Sequence, residues 1–324
     1  MGLTILVSGA SGIVGYGILK CLRASSLPLT LIGTTIYDDS IAPAFCDIFV
    51  QAPRTDAPEY LEWLTDCIRK YHVDMIIPAI EIDMLFWNLH RQEIADAGAV
   101  ALLNNPDLIE ACRDKWDFYC QLIARNARYA IPSRITGSFE EIAGEYGVPF
   151  LLKPRRGFGS QGIHKIHDRS EFEQFFINAP ANSAMLQPII GSADEEYTVS
   201  AFFDCQSQLC CYQQLQRKLS PLGFTESAAS CELENIQQVL QDLAAVFAPV
   251  GPTNFQFRRH QGELKLLEIN PRISSSSSMR SLLGYNEAEM AVKYFLQQQT
   301  IQPVPLKKGR VVRYSEDHLF AGEQ

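Results

Sequence analysis

The chain has 324 residues, of which 47% are hydrophobic and 20% charged, a balance typical of a globular protein with more than one domain. Its net charge of -9 argues against a general nucleic-acid binder, which needs a basic surface. No apolar run approaches the ~20 residues of a membrane span, and we see no signal peptide. Nine scattered cysteines without a C-x-x-C pair favour reduced thiols in a cytoplasmic protein.

A doubly wound α/β domain is predicted at the N-terminus. Thr4–Ser8 is a short buried strand that runs into a glycine loop and a helix ending near Ala24. The remaining strands are expected at Leu29–Thr34, Asp47–Gln51, Val73–Pro78 and Val100–Leu103, and the remaining helices at Glu59–Tyr71 and Met84–Asp96. Together they predict a Rossmann-like domain.

The spacing of the glycine loop, Gly9–Gly15, resembles that of short-chain dehydrogenase-like enzymes. That family uses a Tyr-x-x-x-Lys pair, and the only such pair here, Tyr16 with Lys20, lies inside the first helix. The second strand also ends without the acidic residue that would hold a ribose. We therefore expect a structural or substrate-binding domain, with NAD(P) binding as the alternative.

A second glycine-rich loop follows a strand instead of preceding a helix. The strand Pro149–Lys153 ends in a lysine, and the loop Arg155–Gly162 carries two arginines and three glycines before the strand Ile163–Ile166. This arrangement predicts a hinged lid that closes over phosphate oxygens. An ordinary hairpin loop is the alternative.

An apolar segment then precedes a cluster of acids. Met185–Ile190 leads through Asp194-Glu195-Glu196 into the strand Tyr197–Phe203. The pattern suits an adenosine, with a slot for the base and Glu196 accepting from the ribose hydroxyls. Solvated acids at a strand end are the alternative.

Three polar residues alternate along the apolar run Leu266–Arg272. In a strand, Glu268, Asn270 and Arg272 would share one face, where oxygen ligands beside a cation suit a magnesium–phosphate site. A turn at Gln261-Gly262 would place Gln256 beside Glu268 on an antiparallel strand. An ordinary strand with a polar outer face is the alternative.

In this order the motifs resemble those of the ATP-grasp superfamily, over about residues 106–300. The most specific run, Gly251-Pro252-x-Asn254-x-Gln256-Phe257 with Glu268-Ile269-Asn270-Pro271-Arg272 and Gly284-Tyr285, is similar to the synthetase large subunit of carbamoyl phosphate synthetase. The resemblance implies an α/β and α+β chain. A Rossmann-like domain at 1–105 would precede ATP-grasp subdomains at 106–188 and 189–324.

The resemblance also implies roles for individual residues. Gln256, Glu268 and Asn270 would ligate two Mg²⁺ ions, for which Mn²⁺ could substitute. Arg272 would hold the carboxylate or acyl phosphate, and Lys218 and Arg280 join it in the expected catalytic set. The residues expected to bind ATP are Lys115, Lys153, Arg156, Gly157, Gly159, Ser160, Gln161, Gly162, Gln187, Pro188, Ile189, Ile190 and Glu196.

The expected activity is that of an ATP-dependent ligase that activates a small carboxylate as an acyl phosphate for attack by an amine. Carbamoyl phosphate synthetase has a second arginine where Ser275 stands here, and it has two synthetase halves against one in this chain. Phosphorylation of bicarbonate or carbamate is therefore an alternative, as is a nucleotide-binding protein without catalysis. A homodimer is a common outcome for such enzymes.

Overall fold

The computed structural model describes residues 2–157, 162–178, 182–221 and 223–321. Its first sheet is parallel, with strand order β3-β2-β1-β4-β5. The strands are β1 (Leu3–Val7), β2 (Leu29–Thr35), β3 (Ile48–Gln51), β4 (Met75–Ile77) and β5 (Val100–Ala101). The helices between them are α1 (Ile13–Arg23), α2 (Tyr60–Tyr71), α3 (Glu81–Leu89) and α4 (Arg91–Ala97). The predicted Rossmann-like domain is confirmed.

One predicted helix of this domain is wrong. Met84–Asp96 was expected as one helix, but the structure has α3 and α4 with a break at His90, whose φ of -117° and ψ of 31° are not helical. The His90 ring packs on Phe86 at 4.5 Å, and Arg91 donates to Asn88 and to the carbonyl of Asn104. These local contacts outweigh the apolar periodicity that continues through the break.

The glycine loop lies at the switch point between β1 and β4, where doubly wound sheets bind their ligands. Gly9 has a φ of +57°, and a Cβ there would lie 2.7 Å from Cγ2 of Ile80. Ile80 therefore packs directly against the loop. This close contact favours a structural role for the loop.

A small antiparallel sheet, in the order β7-β6-β8, forms the second unit. Its strands are β6 (Phe150–Pro154), β7 (His164–Ile166) and β8 (Ala184–Pro188), and its helices are α5 (Pro106–Arg113), α6 (Lys115–Asn126), α7 (Phe139–Tyr146) and α8 (Arg169–Asn178). Asp114 caps α6 by accepting from the backbone N–H groups of Trp116 and Asp117. The cap fixes Lys115 as the first residue of that helix.

The largest sheet is antiparallel, in the order β13-β12-β9-β10-β11-β14. Its strands are β9 (Glu196–Phe203), β10 (Leu209–Leu219), β11 (Thr225–Ser230), β12 (Gly251–His260), β13 (Glu263–Asn270) and β14 (Arg310–Val312). The helices α9 (Ile236–Phe247), α10 (Ser277–Leu282) and α11 (Glu287–Phe295) accompany it. The predicted fold class, a Rossmann-like domain followed by an α+β unit with two sheets, is confirmed. The sequence did not predict β11.

The two faces of this sheet have different chemistry. One face carries Val199 and Phe255, which join a buried cluster with Leu240 and Leu243 of α9. The opposite face carries polar side chains near the β9 N-terminus and Phe202 near its C-terminus. Phe202 shares a second cluster with Ile18 of α1 and with residues of α11. The N-terminal domain therefore packs on the face that also bears the polar residues.

Among the described residues, no helix has both the length and the apolar character needed to cross a membrane. All nine cysteines carry free thiols.

Replacing Phe202 by alanine should lower the free energy of unfolding by about 3–5 kcal/mol, because its ring is buried between α1 and α11. Urea-induced unfolding measures the change. Leu89→Ala is the control, since Leu89 is exposed and should shift stability by no more than about 0.5 kcal/mol. Equal effects of the two substitutions would contradict a core shared by the N-terminal domain and the large sheet.

Candidate active site

The polar face of the large sheet brings the predicted metal ligands together. Gln256 pairs with Glu268 across β12 and β13, and Asn254 pairs with Asn270 two residues along. The Asn270 side-chain amide donates to a Glu268 carboxylate oxygen at 2.9 Å. The predicted neighbourhood of these side chains is confirmed, and their role as metal ligands stays a prediction.

Glu196 is held between two arginines on this face. Its buried carboxylate accepts from Arg217 at 2.7 Å and from Arg258 at 2.6 Å. Arg217 also donates to the side-chain oxygen of Gln256. Gln256 would therefore have to release Arg217 before that oxygen could ligate a metal ion.

Lys153 lies at the end of β6, in the small sheet, and faces this cluster. Burial lowers its pKa to about 8, because desolvation disfavours the ammonium form. Glu268 and Glu196 act in the opposite direction, whereas the positive charges of Lys115 and Arg258 lower the pKa further. The two sheets and the start of α6 thus place three cations and two carboxylates within electrostatic reach of one another.

Lys115 connects this cluster to the glycine-rich loop. Its ammonium group donates to the carbonyl oxygen of Gly157 at 2.8 Å, and its backbone N–H donates to Arg155. The buried Asp114 carboxylate pairs with Arg155 at 2.9 Å and with Arg156 at 3.3 Å. Although burial opposes ionisation, the hydrogen bonds from Arg155 and from backbone N–H groups hold the pKa of Asp114 below its usual value.

The loop itself is described at its two ends. Gly157 and Gly162 have φ angles of +127° and +70°, and a Cβ at Gly162 would lie 2.8 Å from Pro154. Glycine is therefore required at the second position. The predicted phosphate contacts Gly159, Ser160 and Gln161 lie outside the described residues.

The predicted adenine-binding segment, which consists of Gln187, Pro188, Ile189 and Ile190, runs from β8 toward the large sheet. Gln187 donates to the hydroxyl of Ser133 at 2.7 Å, and the Ile190 carbonyl accepts from Arg258 at 3.3 Å. A Cβ at Gly191 would lie 2.1 Å from the Arg259 carbonyl oxygen, so the segment packs directly on β12. It therefore spans from one sheet to the other beside Glu196.

Arg272 and Glu81 extend the cluster to the N-terminal domain. Glu81 is the first residue of α3, and burial raises its pKa while Arg272 and Lys115 act in the opposite direction. Burial likewise lowers the pKa of Arg272, against the attraction of Glu81 and Glu268. A carboxylate from the Rossmann-like domain is thus within electrostatic reach of the proposed acid-binding arginine.

Arg280 is placed differently from the prediction. Its side chain is 0% exposed and donates to Ser274 at 2.8 Å, to Thr198 at 2.7 Å and to Asn254 at 2.9 Å. Its guanidinium also lies 3.6 Å from Glu287, whose pKa is raised by burial. Arg280 thus holds Thr198 and Asn254 of the polar face in place through its hydrogen bonds. Because its guanidinium is enclosed in this network, it cannot contact a substrate in this arrangement.

Lys218 is also placed differently from the prediction. It is exposed, whereas its neighbour Arg217 is buried against Glu196. Adjacent residues of a strand point to opposite faces, so Lys218 points away from the polar face. The cation that β10 contributes to the cluster is Arg217.

Some members of the cluster were not predicted from the sequence. Arg217 and Arg258 lie on β10 and β12 and meet at Glu196, and Glu81 comes from a domain more than 100 residues earlier in the chain. Strand alternation could have selected Arg217 over Lys218 and Arg258 over Arg259. No sequence signal could have paired Glu81 with Arg272, because only the packing of the domains brings them together.

The donor set fits a magnesium ion that also uses ATP oxygens. Among the described residues, no group of three His, Cys, Asp or Glu side chains could hold a metal ion. One carboxylate with amide oxygens suits Mg²⁺, which commonly binds through one or two carboxylates and substrate phosphates. Glu268 and Asn270 meet that requirement, and Gln256 meets it once its oxygen leaves Arg217.

Comparison with known proteins agrees with this architecture. The family model described as "ATP-grasp in the biosynthetic pathway with Ter operon" matches residues 184–318, and the one described as "PylC-like, N-terminal domain" matches residues 28–102. The carbamoyl phosphate synthase large chain of Gemmatimonas aurantiaca is 24% identical over 327 residues. That match covers 89% of this chain but 29% of the relative's length.

Solved structures show the same fold. N5-carboxyaminoimidazole synthetase from Staphylococcus aureus has a TM-score of 0.75 and 14% identity, covering 94% of this chain and 80% of its own. The biotin carboxylase domain of 2-oxoglutarate carboxylase from Hydrogenobacter thermophilus, a dimer with MgADP and bicarbonate, has a TM-score of 0.73 and 16% identity, with coverages of 96% and 73%. The family matches therefore assign residues 184–318 to an ATP-grasp domain and residues 28–102 to a PylC-like N-terminal domain, and the predicted resemblance to the ATP-grasp superfamily is confirmed.

Replacing Arg280 by methionine should destabilise the protein by about 3–5 kcal/mol, because Glu287 would be left buried without its cation. Removing both charges in Arg280→Met/Glu287→Leu should recover much of that loss. Urea unfolding measures both variants, with the exposed Arg113→Met as control, since its pair with Glu110 should contribute no more than about 1 kcal/mol. An Arg280→Met protein of unchanged stability would restore Arg280 to the group of candidate substrate ligands.

Proposed function

We propose that this chain is an ATP- and Mg²⁺-dependent ligase. It would phosphorylate a small carboxylate with the γ-phosphate of ATP, releasing ADP. An amine would then attack the acyl phosphate carbon, forming a C–N bond and releasing phosphate. The observation that carries this proposal is the position of Lys153, half-buried between the two sheets and within electrostatic reach of Lys115, Arg258, Glu196 and Glu268.

Charge balance is the physical reason for this proposal. Joining a carboxylate to ATP gathers several negative charges, and the reaction needs cations to offset their repulsion. Lys115, Lys153 and Arg272 supply positive charge from three different parts of the chain. A cluster with this excess of cations is suited to a polyphosphate.

The nucleotide would lie between the small and large sheets. Lys153 and Lys115 would contact the phosphates, with Arg156, Gly157 and Gly162 at the described ends of the covering loop. The base would lie along Gln187–Ile190, beside Glu196. The Glu196 oxygens accept from two arginines, and a carboxylate oxygen has a further lone pair with which to accept from a ribose hydroxyl.

Glu268 and Asn270 would hold the metal, joined by Gln256 when its oxygen is released from Arg217. Bound Mg²⁺ would offset phosphate charge and align the groups that react. We propose two ions, with Mn²⁺ able to replace Mg²⁺. The Asn270–Glu268 hydrogen bond keeps the two side chains in a shared orientation, so the ligands are partly arranged in advance.

The two substrates would meet at the junction of the N-terminal domain and the large sheet. Arg272 would pair with the carboxylate that is activated, and the Glu81 carboxylate would accept from the ammonium or amine of the nucleophile. The raised pKa of Glu81 suits a group that takes up a proton as the amine attacks. The carboxylate substrate would then be bound by a cation, and the amine substrate by an anion.

We also propose the predicted domain limits, 1–105, 106–188 and 189–324, because each range contains one of the three sheets. Bicarbonate is the second candidate substrate. It is favoured by the relatives named carbamoyl phosphate synthase large chain and by the bicarbonate in the solved biotin carboxylase domain.

The decisive experiment is an ADP-release screen with small carboxylates, alone and in pairs with amines. We expect Mg²⁺-dependent ADP release that rises when the correct amine is added, because the amine removes the acyl phosphate. Glu268→Ala should abolish it while leaving thermal unfolding unchanged. Glu263→Ala is the matched control, since Glu263 lies on the same strand and pairs at the surface with Lys265.

Different outcomes separate the alternatives. ADP release with bicarbonate and without any amine would replace the carboxylate–amine reaction by bicarbonate phosphorylation. ATP binding without turnover under any condition would indicate a non-catalytic nucleotide-binding protein. Full activity of Glu268→Ala would show that the metal ligands have been assigned wrongly.

ATP affinity should fall as the pH rises above about 8. Lys153 has a pKa lowered to about 8 in the protein without nucleotide, so it is mostly charged below that pH and mostly neutral above it. ATP binds the charged form better, and each pH unit above the pKa should weaken binding by up to about tenfold. Lys153→Arg should give a flat profile, because arginine keeps its charge.

Equilibrium binding of ATP between about pH 7 and pH 9.5 measures this effect. Lys218→Arg is the control, because Lys218 points away from the site and should leave the profile of the unmodified protein in place. A wild-type profile as flat as that of Lys153→Arg would argue against a phosphate contact by Lys153.

A further inference from the structure

A cavity of about 800 Å³ lies at the other end of the large sheet from the candidate active site. It is lined by residues 209–214 of β10, residues 230–232 with Gln237, and residues 303–308 except Pro305. Leu209 pairs with Phe203, at the far end of β9 from Glu196. The lining along β10 reaches Gln214, which pairs with Val199, three residues from Glu196, but it includes none of the residues of the candidate active site, so the cavity is distinct from that site.

One wall of the cavity is an unpaired strand edge. β10 pairs with β9 from Leu209 to Gln216, but it pairs with β11 only from Leu215 to Leu219. Along 209–214, no strand in the described part of the chain pairs with the edge that faces away from β9. Alternate residues there direct N–H and C=O groups outward. Such an edge can accept an extended peptide as an additional strand.

The charge at the cavity favours an acidic peptide. Lys307 and Lys308 both line it. Lys308 pairs with Glu232 at 2.9 Å, whereas Lys307 forms no ion pair with any residue that the structure describes. The uncompensated cation at this rim is therefore Lys307.

A segment with matching properties is present in the chain itself. Residues 314–321 lack helix and strand, and three large side chains in them are solvent-exposed, 77% for Tyr314, 88% for Leu319 and 50% for Phe320. Two acids, Glu316 and Asp317, precede them. Eight extended residues span about 26 Å, enough to cover the six-residue edge of about 20 Å.

The segment leads away from the cavity of its own chain. Arg313, directly before it, donates to the carbonyl oxygens of Thr225 and Ser275. Thr225 pairs with Leu219, at the opposite end of β10 from residues 209–214. A segment that occupies the cavity is therefore better placed to come from another molecule.

We propose that residues 314–321 of a second copy of this chain bind in the cavity as a strand added to the edge at 209–214. Because alternate residues of a strand share a face, either Asp317 and Leu319 or Glu316 and Phe320 would point together toward Lys307 and the cavity. Exchange of the segment between two copies gives a closed, symmetric dimer. This assembly goes beyond the proposed reaction and does not depend on it.

The test is sedimentation equilibrium of full-length variants over a range of concentrations. Wild type should dimerise, and Lys307→Glu should raise the dissociation constant at least about fivefold, because it replaces attraction by repulsion at both symmetric sites. Lys70→Glu, the same charge change on exposed α2, is the matched control and should behave as wild type. Combining Lys307→Glu with Glu316→Lys/Asp317→Lys should restore the dimer.

A fluorescent peptide of residues 314–321 provides a second measurement. It should bind to full-length Leu319→Asp, whose own segment is impaired, and Lys307→Glu should weaken that binding. A wild-type protein that is monomeric throughout would overturn the proposal, as would a dimer that Lys307→Glu affects no more than Lys70→Glu. Peptide binding to a monomeric wild type would exclude the second copy as the source of the segment.

Discussion

The two sheets of the ATP-grasp domain bring opposite charges near each other, Lys153 on the small sheet and Glu268 on the large one. Burial alone would push the lysine toward its neutral form. Glu268 and Glu196 keep its pKa from falling further, while Lys115 and Arg258 have the opposite effect. A polyphosphate bound here would add negative charge to a site with an excess of cations, and so would stabilise the approach of the two sheets.

The polar face is organised by paired charges beneath it. Arg217 bridges Glu196 and Gln256, so the candidate ribose ligand and a candidate metal ligand share one guanidinium. Arg280 holds Asn254, the cross-strand neighbour of Asn270, from the other side. Binding of a metal by Gln256 would end its contact with Arg217 and leave that guanidinium to Glu196 alone. Metal and nucleotide binding would therefore be coupled through this face.

The sequence predicted the order of the elements and most of the clustering, for a physical reason. Strand alternation placed Glu268 and Asn270 on one face, and a short turn placed Gln256 beside them. The same reasoning does not predict how buried a side chain is. It therefore assigned both Arg272 and Arg280 to the catalytic set, although Arg280 is fully enclosed. It also missed the break at His90, beside which Arg91 donates to the carbonyl of Asn104, 13 residues further along the chain.

Glu81 shows where reasoning from one segment ends. In the sequence it is an acid at the carboxyl end of a Rossmann-like strand, and its partners Lys115 and Arg272 lie in two other parts of the chain. The buried cluster that joins α1, β9 and α11 fixes the N-terminal domain against the large sheet, and thereby fixes Glu81 relative to Arg272. Lys115 and Arg272 would bind anionic groups, and the negative charge of Glu81 beside them would oppose the binding of ATP. The Glu81 carboxylate is favourable at this place only if it binds a cationic or hydrogen-donating partner, such as an amine. The position of Glu81 would therefore favour a reaction that includes an amine over phosphorylation of bicarbonate alone.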